Sequence, residues 1–161
     1  VLGCRYVRVF LRAPDGSHEE SAKRCADVLR PIADHAKQRQ IILAIEPGAS
    51  KLSAQGDFLA HLMKVLDHDH CRLMPDFGKF RGDVYAGTQA MMPATVVVSA
   101  KSHDFDADGN EKQFDYHRLM KIIVASGFKG IVAIEYEGSR LAPVEGVKAT
   151  QQLLKRALAA V

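Results

Sequence analysis

Apolar positions along the chain switch repeatedly between a period of two and a period of three to four, which predicts strands followed by helices. Tyr6-Val-Arg-Val-Phe10 is a β-branched and aromatic run and predicts a first strand. Pro14-Asp-Gly16 reads as a turn, and Ser17 and Glu20 have the spacing of a capping box. Ala22, Cys25, Leu29, Ile32, Ala33 and Ala36 then recur on one helical face. Ile41-Ile-Leu-Ala-Ile45 is wholly apolar, as in a strand covered on both faces. Phe58, Leu59, Leu62, Met63 and Leu66 predict an amphipathic helix from Gln55 to Leu66. Cys71 to Met74 predicts a short strand ended by Pro75, and Asp83 to Met92 a helix of weaker pattern. Thr95-Val-Val-Val98 predicts a fourth strand, followed by a polar loop to Asn110. Asp115 is the expected N-cap of a helix from Tyr116 to Ser126, closed by Gly127. Ile131-Val-Ala-Ile134 predicts the last strand. Pro143 suits the first turn of a final helix with apolar positions at Val147, Leu154, Leu158 and Val161.

Five strands, each followed by a helix, define an α/β chain of parallel βα repeats with helices outside the sheet. An open doubly wound sheet and a (β/α)8 barrel both meet that description. No Gly-rich phosphate loop follows any strand, which weakens a dinucleotide-binding reading. The strand ends favour the barrel. Four consecutive strands end in acidic or basic groups: Glu46, Asp76, then Lys101 with His103, then Glu135 with Glu137. In parallel α/β folds that is where sites form. By strand alternation Val132, Ile134 and Tyr136 share one face, and Ala133, Glu135 and Glu137 the other. Likewise Val97, Ser99, Lys101 and, if the strand continues, His103 share one face. A barrel interior opening into a site accommodates such a small-then-polar face, whereas an open sheet packs helices on both.

The candidate chemistry follows from these groups. Glu46, Asp76 and Glu135 are oxygen ligands suited to Mg²⁺ or Mn²⁺, and adding His103 widens the divalent metal ion choice to Zn²⁺ or Co²⁺. Arg8, Ser99 and Glu137 are candidate substrate contacts, and Lys101 a charge partner or electrostatic stabiliser of a developing oxyanion. Asp104, Asp106 and Asp108-Gly109 match the start of a calcium-binding loop, with Asp115 at its twelfth position. A strand precedes this loop and Glu111 stands where an apolar residue is usual, so a solvated loop is the simpler reading.

Composition narrows the class. The chain has 161 residues, 47% hydrophobic and 25% charged, which excludes disordered and fibrous classes. A net charge of +3 gives no basic stripe for nucleic acid, and no apolar run reaches the ~18 residues of a membrane span. Three scattered cysteines, Cys4, Cys25 and Cys71, form neither a disulfide framework nor a zinc motif. They read as reduced, buried thiols, with a cytoplasmic location expected. The chain opens on Val1-Leu-Gly-Cys4 without Met, which reads as a cut end beyond which a targeting segment is not legible.

Pro-Asp76-Phe-Gly, Val-Ser-Ala-Lys101-Ser-His103-Asp-Phe-Asp, Asp115-Tyr, Gly127-Phe-Lys-Gly130 and Ile-Glu135-Tyr-Glu137-Gly138, in this order, resemble the sugar phosphate isomerase/epimerase family. These are xylose isomerase-like TIM barrels, related to apurinic endonucleases. The resemblance runs from Leu2 to Leu158. It implies a partial (β/α)8 barrel comprising strands four to eight, so that the whole chain is a single C-terminal portion of a barrel whose N-terminal βα units are missing. It also implies that Glu46, Asp76 and Glu135 are metal ligands, and that Glu46 and Glu135 exchange a proton with a sugar or sugar-phosphate substrate. A divalent ion would stabilise the enediolate formed when a proton next to a carbonyl is removed.

The sequence departs from the family at Ser99, where a ligand histidine is usual, which makes His103 the candidate fourth ligand. It departs again at Pro47 and Lys79, where asparagine is common. Two alternatives share these residues: a non-catalytic barrel that binds a sugar or partner, and a Schiff-base aldolase using Lys101. An apurinic endonuclease is disfavoured, because His61, His68, His70 and His117 are expected at exposed helix positions. Met91 and Met92 are expected in the core, Tyr136 against a helix, and Phe77 and Phe80 either in packing or at a substrate mouth. Five of eight barrel strands leave two edges open, so the chain alone is expected to aggregate, to form a homo-oligomer or to lack turnover.

Overall fold

A computed structural model describes residues 3–161; Val1 and Leu2, where the reading of a cut end and the start of the resemblance fall, lie outside the described residues. The elements are β1 (Tyr6–Phe10), α1 (His18–Gln38), β2 (Ile42–Glu46), α2 (Gly56–Leu66), β3 (Cys71–Leu73), α3 (Val84–Met91), β4 (Val97–Ser102), α4 (Tyr116–Ala125), β5 (Ile131–Tyr136) and α5 (Pro143–Ala159). A 3-10 turn, Met92–Ala94, separates α3 from β4.

All strand pairs are parallel. β1 pairs with β2 from Tyr6↔Ile42 to Phe10↔Glu46, β2 with β3 from Leu43↔Cys71 to Ile45↔Leu73, and β4 with β5 from Val97↔Ile131 to Ser102↔Tyr136. Bridges Leu73↔Thr95 and Asp76↔Ser99 join the two groups, so the strands stand in chain order. Neighbouring parallel strands in chain order with helices on one side are an arc of a (β/α)8 barrel. The predicted fold class is the observed one.

Two cores lie between the sheet and its helices. Leu29 of α1, Leu43 and Ile45 of β2 and Phe58, Leu59, Leu62 and Leu66 of α2 belong to the first. Val98 and Ala100 of β4, Tyr116, Leu119 and Ile123 of α4 and Leu153 of α5 belong to the second. Each fully buried leucine contributes about 2–3 kcal/mol. Met91 and Met92 sit in these cores as expected; Phe77 is buried in the second and Phe80 packs on the first, so packing describes both. Ser17 caps α1 by accepting from Glu20 N–H at 3.3 Å, and its hydroxyl donates to the Glu20 carboxylate at 2.9 Å.

Three local expectations are corrected. β4 begins at Val97, not Thr95, and runs to Ser102. Thr95 caps the end of the 3-10 turn instead, its N–H bonded to Met92 O and its hydroxyl to Met91 O at 2.9 Å. The polar end Ser99-Ala-Lys101-Ser102 is strand because β5 pairs with its full length. The buried face of α5 is Gly146, Thr150, Leu153 and Ala157, while Val147, Leu158 and Val161 are exposed and only Leu154 packs partly inward. A hydrogen bond of 2.6 Å between the hydroxyls of Ser102 and Thr150 sets this rotation, together with Tyr136, whose ring packs so closely on Gly146 that a Cβ there would overlap it. Lastly, Cys25 and Cys71 are buried but Cys4 is exposed. Among the described residues no helix is long and apolar enough to cross a membrane.

Candidate active site

Strand alternation sends one set of side chains into the cores and the other to the opposite, inner face. Glu46 ends β2, Asp76 follows β3, and Lys101 and Glu135 are opposite each other in the β4–β5 register. Hydrogen-bonded strands are ~4.8 Å apart, so β2 and β5 would be roughly 14 Å apart on a flat sheet. Yet one carboxylate oxygen from each of Glu46, Asp76 and Glu135 lies within 4.8 Å of the others. The sheet therefore curls toward the face that carries the acids.

Each group has a distinct setting. Glu46 and Asp76 are fully buried. Asp76 Oδ1 accepts from Gly78 N–H at 2.8 Å. Ser99 donates to Glu135 Oε2 at 2.8 Å. The buried Lys101 ammonium lies 3.4 Å from Asp76 Oδ2, 3.2 Å from Glu135 Oε1 and 2.9 Å from Glu137 Oε1. Arg8, half-exposed, approaches Glu46 Oε1 at 3.6 Å. Gly78 leaves space for the Lys101 stem, since a Cβ there would come within 2.6 Å of Lys101 Cδ. Behind the strand, the buried Tyr116 hydroxyl donates to Lys101 O at 2.7 Å and anchors the end of β4.

These settings separate the acids electrostatically. Burial, reinforced by the charge of Asp76, pushes Glu46 up to about 7. Burial also raises Asp76, against the Ser99 hydroxyl and the Lys101 charge. Burial works against ionised Glu135, but the Ser99 hydroxyl and Lys101 outweigh it and hold that carboxyl below its ordinary range. For Lys101 burial favours the neutral amine, but Glu137, Asp76 and Glu135 outweigh it and raise the ammonium above its usual value.

Both oxygens of Glu46 and Asp76 Oδ2 are buried without a hydrogen-bond partner among the described residues. Lys101 and Arg8 approach Asp76 Oδ2 and Glu46 Oε1 only at 3.4 and 3.6 Å, and buried carboxylate oxygens without a hydrogen bond are costly unless a cation meets them closely. The donor set thus fits a divalent ion, and its oxygen-only chemistry suits Mg²⁺ or Mn²⁺.

The structure brings together Glu46, Asp76, Lys101, Glu135, Ser99, Glu137 and, at the edge, Arg8. His103 is not among the groups whose ligand atoms lie within 4.8 Å of one another. β4 ends at Ser102, and His103 N–H donates to Glu111 Oε1 at 3.2 Å, so the strand alternation stops there. The imidazole instead stands between Glu111 Oε1 at 4.0 Å and Glu137 Oε2 at 3.9 Å.

Glu111, which departs from the calcium-loop pattern, is buried; its carboxylate also accepts from Phe114 N–H at 2.8 Å and folds the loop before α4. The sequence marks it only as an acid at a position where that pattern has an apolar residue. Phe10, which the pattern marks only as strand, is exposed at the same sheet end, with the Arg8 guanidinium 5.0 Å from its ring centre.

The remaining motifs have local roles. Asp106 Oδ1 accepts from Asp108 N–H at 2.9 Å and Asn110 N–H at 2.8 Å, while Asp104 pairs with Lys112 at 3.1 Å and with Arg140, beyond β5, at 3.2 Å, so the carboxylates of Asp104 and Asp106 are met by protein donors. Asp115 caps α4 through Arg118 N–H at 3.1 Å. His61 and His68 bond Glu19 and Asp34, and His70 bonds Ile41 O; these three are half-buried rather than exposed, His117 is exposed as expected, and none of them joins the acids. Tyr136 packs against α5 at Gly146, as expected, and stacks on Phe105.

Comparison with known proteins bears on the fold. The sequence model of the xylose isomerase-like TIM barrel family matches residues 1–157. The alpha subunit of a C-glycoside deglycosidase from Arthrobacter globiformis is 34% identical over 74 residues, which is 42% of this chain and 21% of that protein. A xylose isomerase-like TIM barrel protein from Mycobacterium smegmatis, solved in complex with magnesium, superposes with a TM-score of 0.69 at 19% identity over 98% of this chain. An L-ribulose 3-epimerase superposes with a TM-score of 0.74 at 16% identity over 99% of this chain. The chain spans 62% and 63% of the lengths of those two solved structures. At these identities the likeness is one of fold.

Proposed function

Because the chain belongs to the xylose isomerase-like TIM barrel family, we propose that it carries the carboxylate cluster of a sugar isomerase or epimerase. The substrate is a small sugar or sugar phosphate, and the reaction moves a proton beside its carbonyl. The observation that carries this reading is the convergence of Glu46 and Glu135, from strands at opposite sides of the arc, with Asp76 between them. Paired carboxylates at one carbon are what proton removal and return require. Epimerases among the similar folds support it.

Glu46, Asp76 and Glu135 would hold a Mg²⁺ or Mn²⁺ ion, which when bound supplies Lewis-acid polarisation of the substrate oxygens. Glu135, kept ionised by Ser99 and Lys101, takes the proton from carbon, and Glu46 returns one. Lys101 places a positive charge where the substrate oxygen becomes negative. Arg8, with Phe10 beside it, and Glu137 contact the sugar at the open end of the arc.

The test is Glu135→Gln, assayed with added Mn²⁺ across a panel of ketoses and ketose phosphates. Loss of an acid–base group predicts a fall in turnover of about 10²- to 10⁴-fold. Undiminished turnover removes Glu135 from the role. Sugar binding with no turnover in the unsubstituted protein favours the non-catalytic binding barrel instead.

A further inference from the structure

We propose that Lys101 is a built-in competitor for the cation of this site, its ammonium and a divalent ion displacing one another from Asp76 and Glu135. The inference rests on the reading of Glu46, Asp76 and Glu135 as the ligands.

Four observations carry it. The Lys101 ammonium bridges two of the three acids, Asp76 Oδ2 at 3.4 Å and Glu135 Oε1 at 3.2 Å, and leaves the third, Glu46, with no hydrogen-bond partner for either oxygen. Glu46 is approached instead by the half-exposed Arg8 guanidinium at 3.6 Å, so Lys101 is the cation held on Asp76 and Glu135. Its closest contact, 2.9 Å, is to Glu137, which lies outside the triad and is half-exposed. That carboxylate is a second seat, which the ammonium keeps when it gives up the acids. The stem that permits the move crosses Gly78, where any side chain would obstruct it. The competing charges lie in a buried setting, where like charges a few ångströms apart interact strongly. A lysine in this position weakens cation binding and makes occupancy depend on where the ammonium sits.

The experiment is a calorimetric titration of Mn²⁺ into the chain and into Lys101→Met, with Lys101→Gln as a second variant should the first fail to fold. The proposal expects Mn²⁺ to bind at least about tenfold more tightly once the ammonium is gone. A folded variant that binds equally or more weakly overturns the competitor and leaves the ligand assignment standing. If neither protein binds Mn²⁺, the ligand assignment itself fails, and the competitor with it. Glu137→Gln supplies an independent sign. It should weaken Mn²⁺ binding when Lys101 is present, by removing the second seat, and change it little in the Lys101→Met background. An equal effect in both backgrounds would mean that Glu137 does not act through Lys101, and would sink the two-seat arrangement.

Discussion

Ser99 donates its hydroxyl to Glu135 across the β4–β5 pair at 2.8 Å. The bond fixes one oxygen of a carboxylate whose other oxygen faces Lys101 at 3.2 Å. Ser99→Ala removes a hydrogen bond to a charged group, and the expected loss of stability is about 1.5–3 kcal/mol in a denaturant titration. Ser99→His places a nitrogen donor beside the acids. It is expected to shift the site from Mn²⁺ toward Zn²⁺ in competition titrations, since imidazole suits zinc. An unchanged preference would show that the Ser99 position does not face the cation.

Glu46 gives the metal-free protein an unusual pH dependence. Its carboxyl stands near 4.5 when unfolded and is pushed up to about 7 by burial and the charge of Asp76. The folded state therefore holds the extra proton between these values. The stability that this proton contributes is fully present below about 4.5 and is lost as pH rises through about 7. The difference is on the order of 3 kcal/mol. Glu46→Gln, which keeps the shape without the charge, is expected to raise the melting temperature of the metal-free protein at pH 8 and to leave it little changed at pH 5. A variant less stable at pH 8 would contradict this account of Glu46.

The strand-to-helix alternation was legible because buried parallel strands are short apolar runs, such as Ile41 to Ile45, and each is bounded by turn residues. The acids were legible because the site end of such a sheet is marked by polarity at the strand termini. What the pattern did not carry was rotation and extent. The buried face of α5 is set by Gly146 and Thr150, neither of which reads as apolar, because its neighbours are the Tyr136 ring and the Ser102 hydroxyl. His103 shares the period of Lys101, but a buried carboxylate from Glu111 turns the backbone at that residue. Contacts with residues distant in sequence decide such points, and a local period does not contain them.

Lys101 bears on the aldolase alternative. A Schiff base needs the neutral amine, and Glu137, Asp76 and Glu135 hold this side chain above its ordinary value despite burial. Borohydride reduction in the presence of ketose or aldose at pH 7 is expected to give no adduct at Lys101 by peptide mass spectrometry. A trapped adduct would overturn this and return Lys101 to a nucleophilic role.

Gly146 lies under the Tyr136 ring, where an added Cβ would overlap it. In an exposed helix Gly→Ala ordinarily stabilises. Here overpacking should prevail, and Gly146→Ala is expected to destabilise by about 1–3 kcal/mol in urea unfolding. A gain in stability would show that α5 shifts freely on β5.

The outer strands make a further case for self-association. Among the described residues β1 and β5 each have one strand neighbour only, so each leaves a row of backbone groups without a sheet partner. Exposed apolar side chains line these strands, Val7 at 42%, Phe10 at 57% and Ile131 at 57%. Open parallel edges of this kind pair with other chains unless a charge or a cover blocks them. The 161-residue chain on its own is expected to elute as a homo-oligomer or aggregate in size-exclusion chromatography with light scattering. Val7→Lys combined with Ile131→Lys places a charge on each outer strand and is expected to shift the distribution toward monomer. If the unsubstituted chain is already a monodisperse monomer at high concentration, the two edges are not association surfaces.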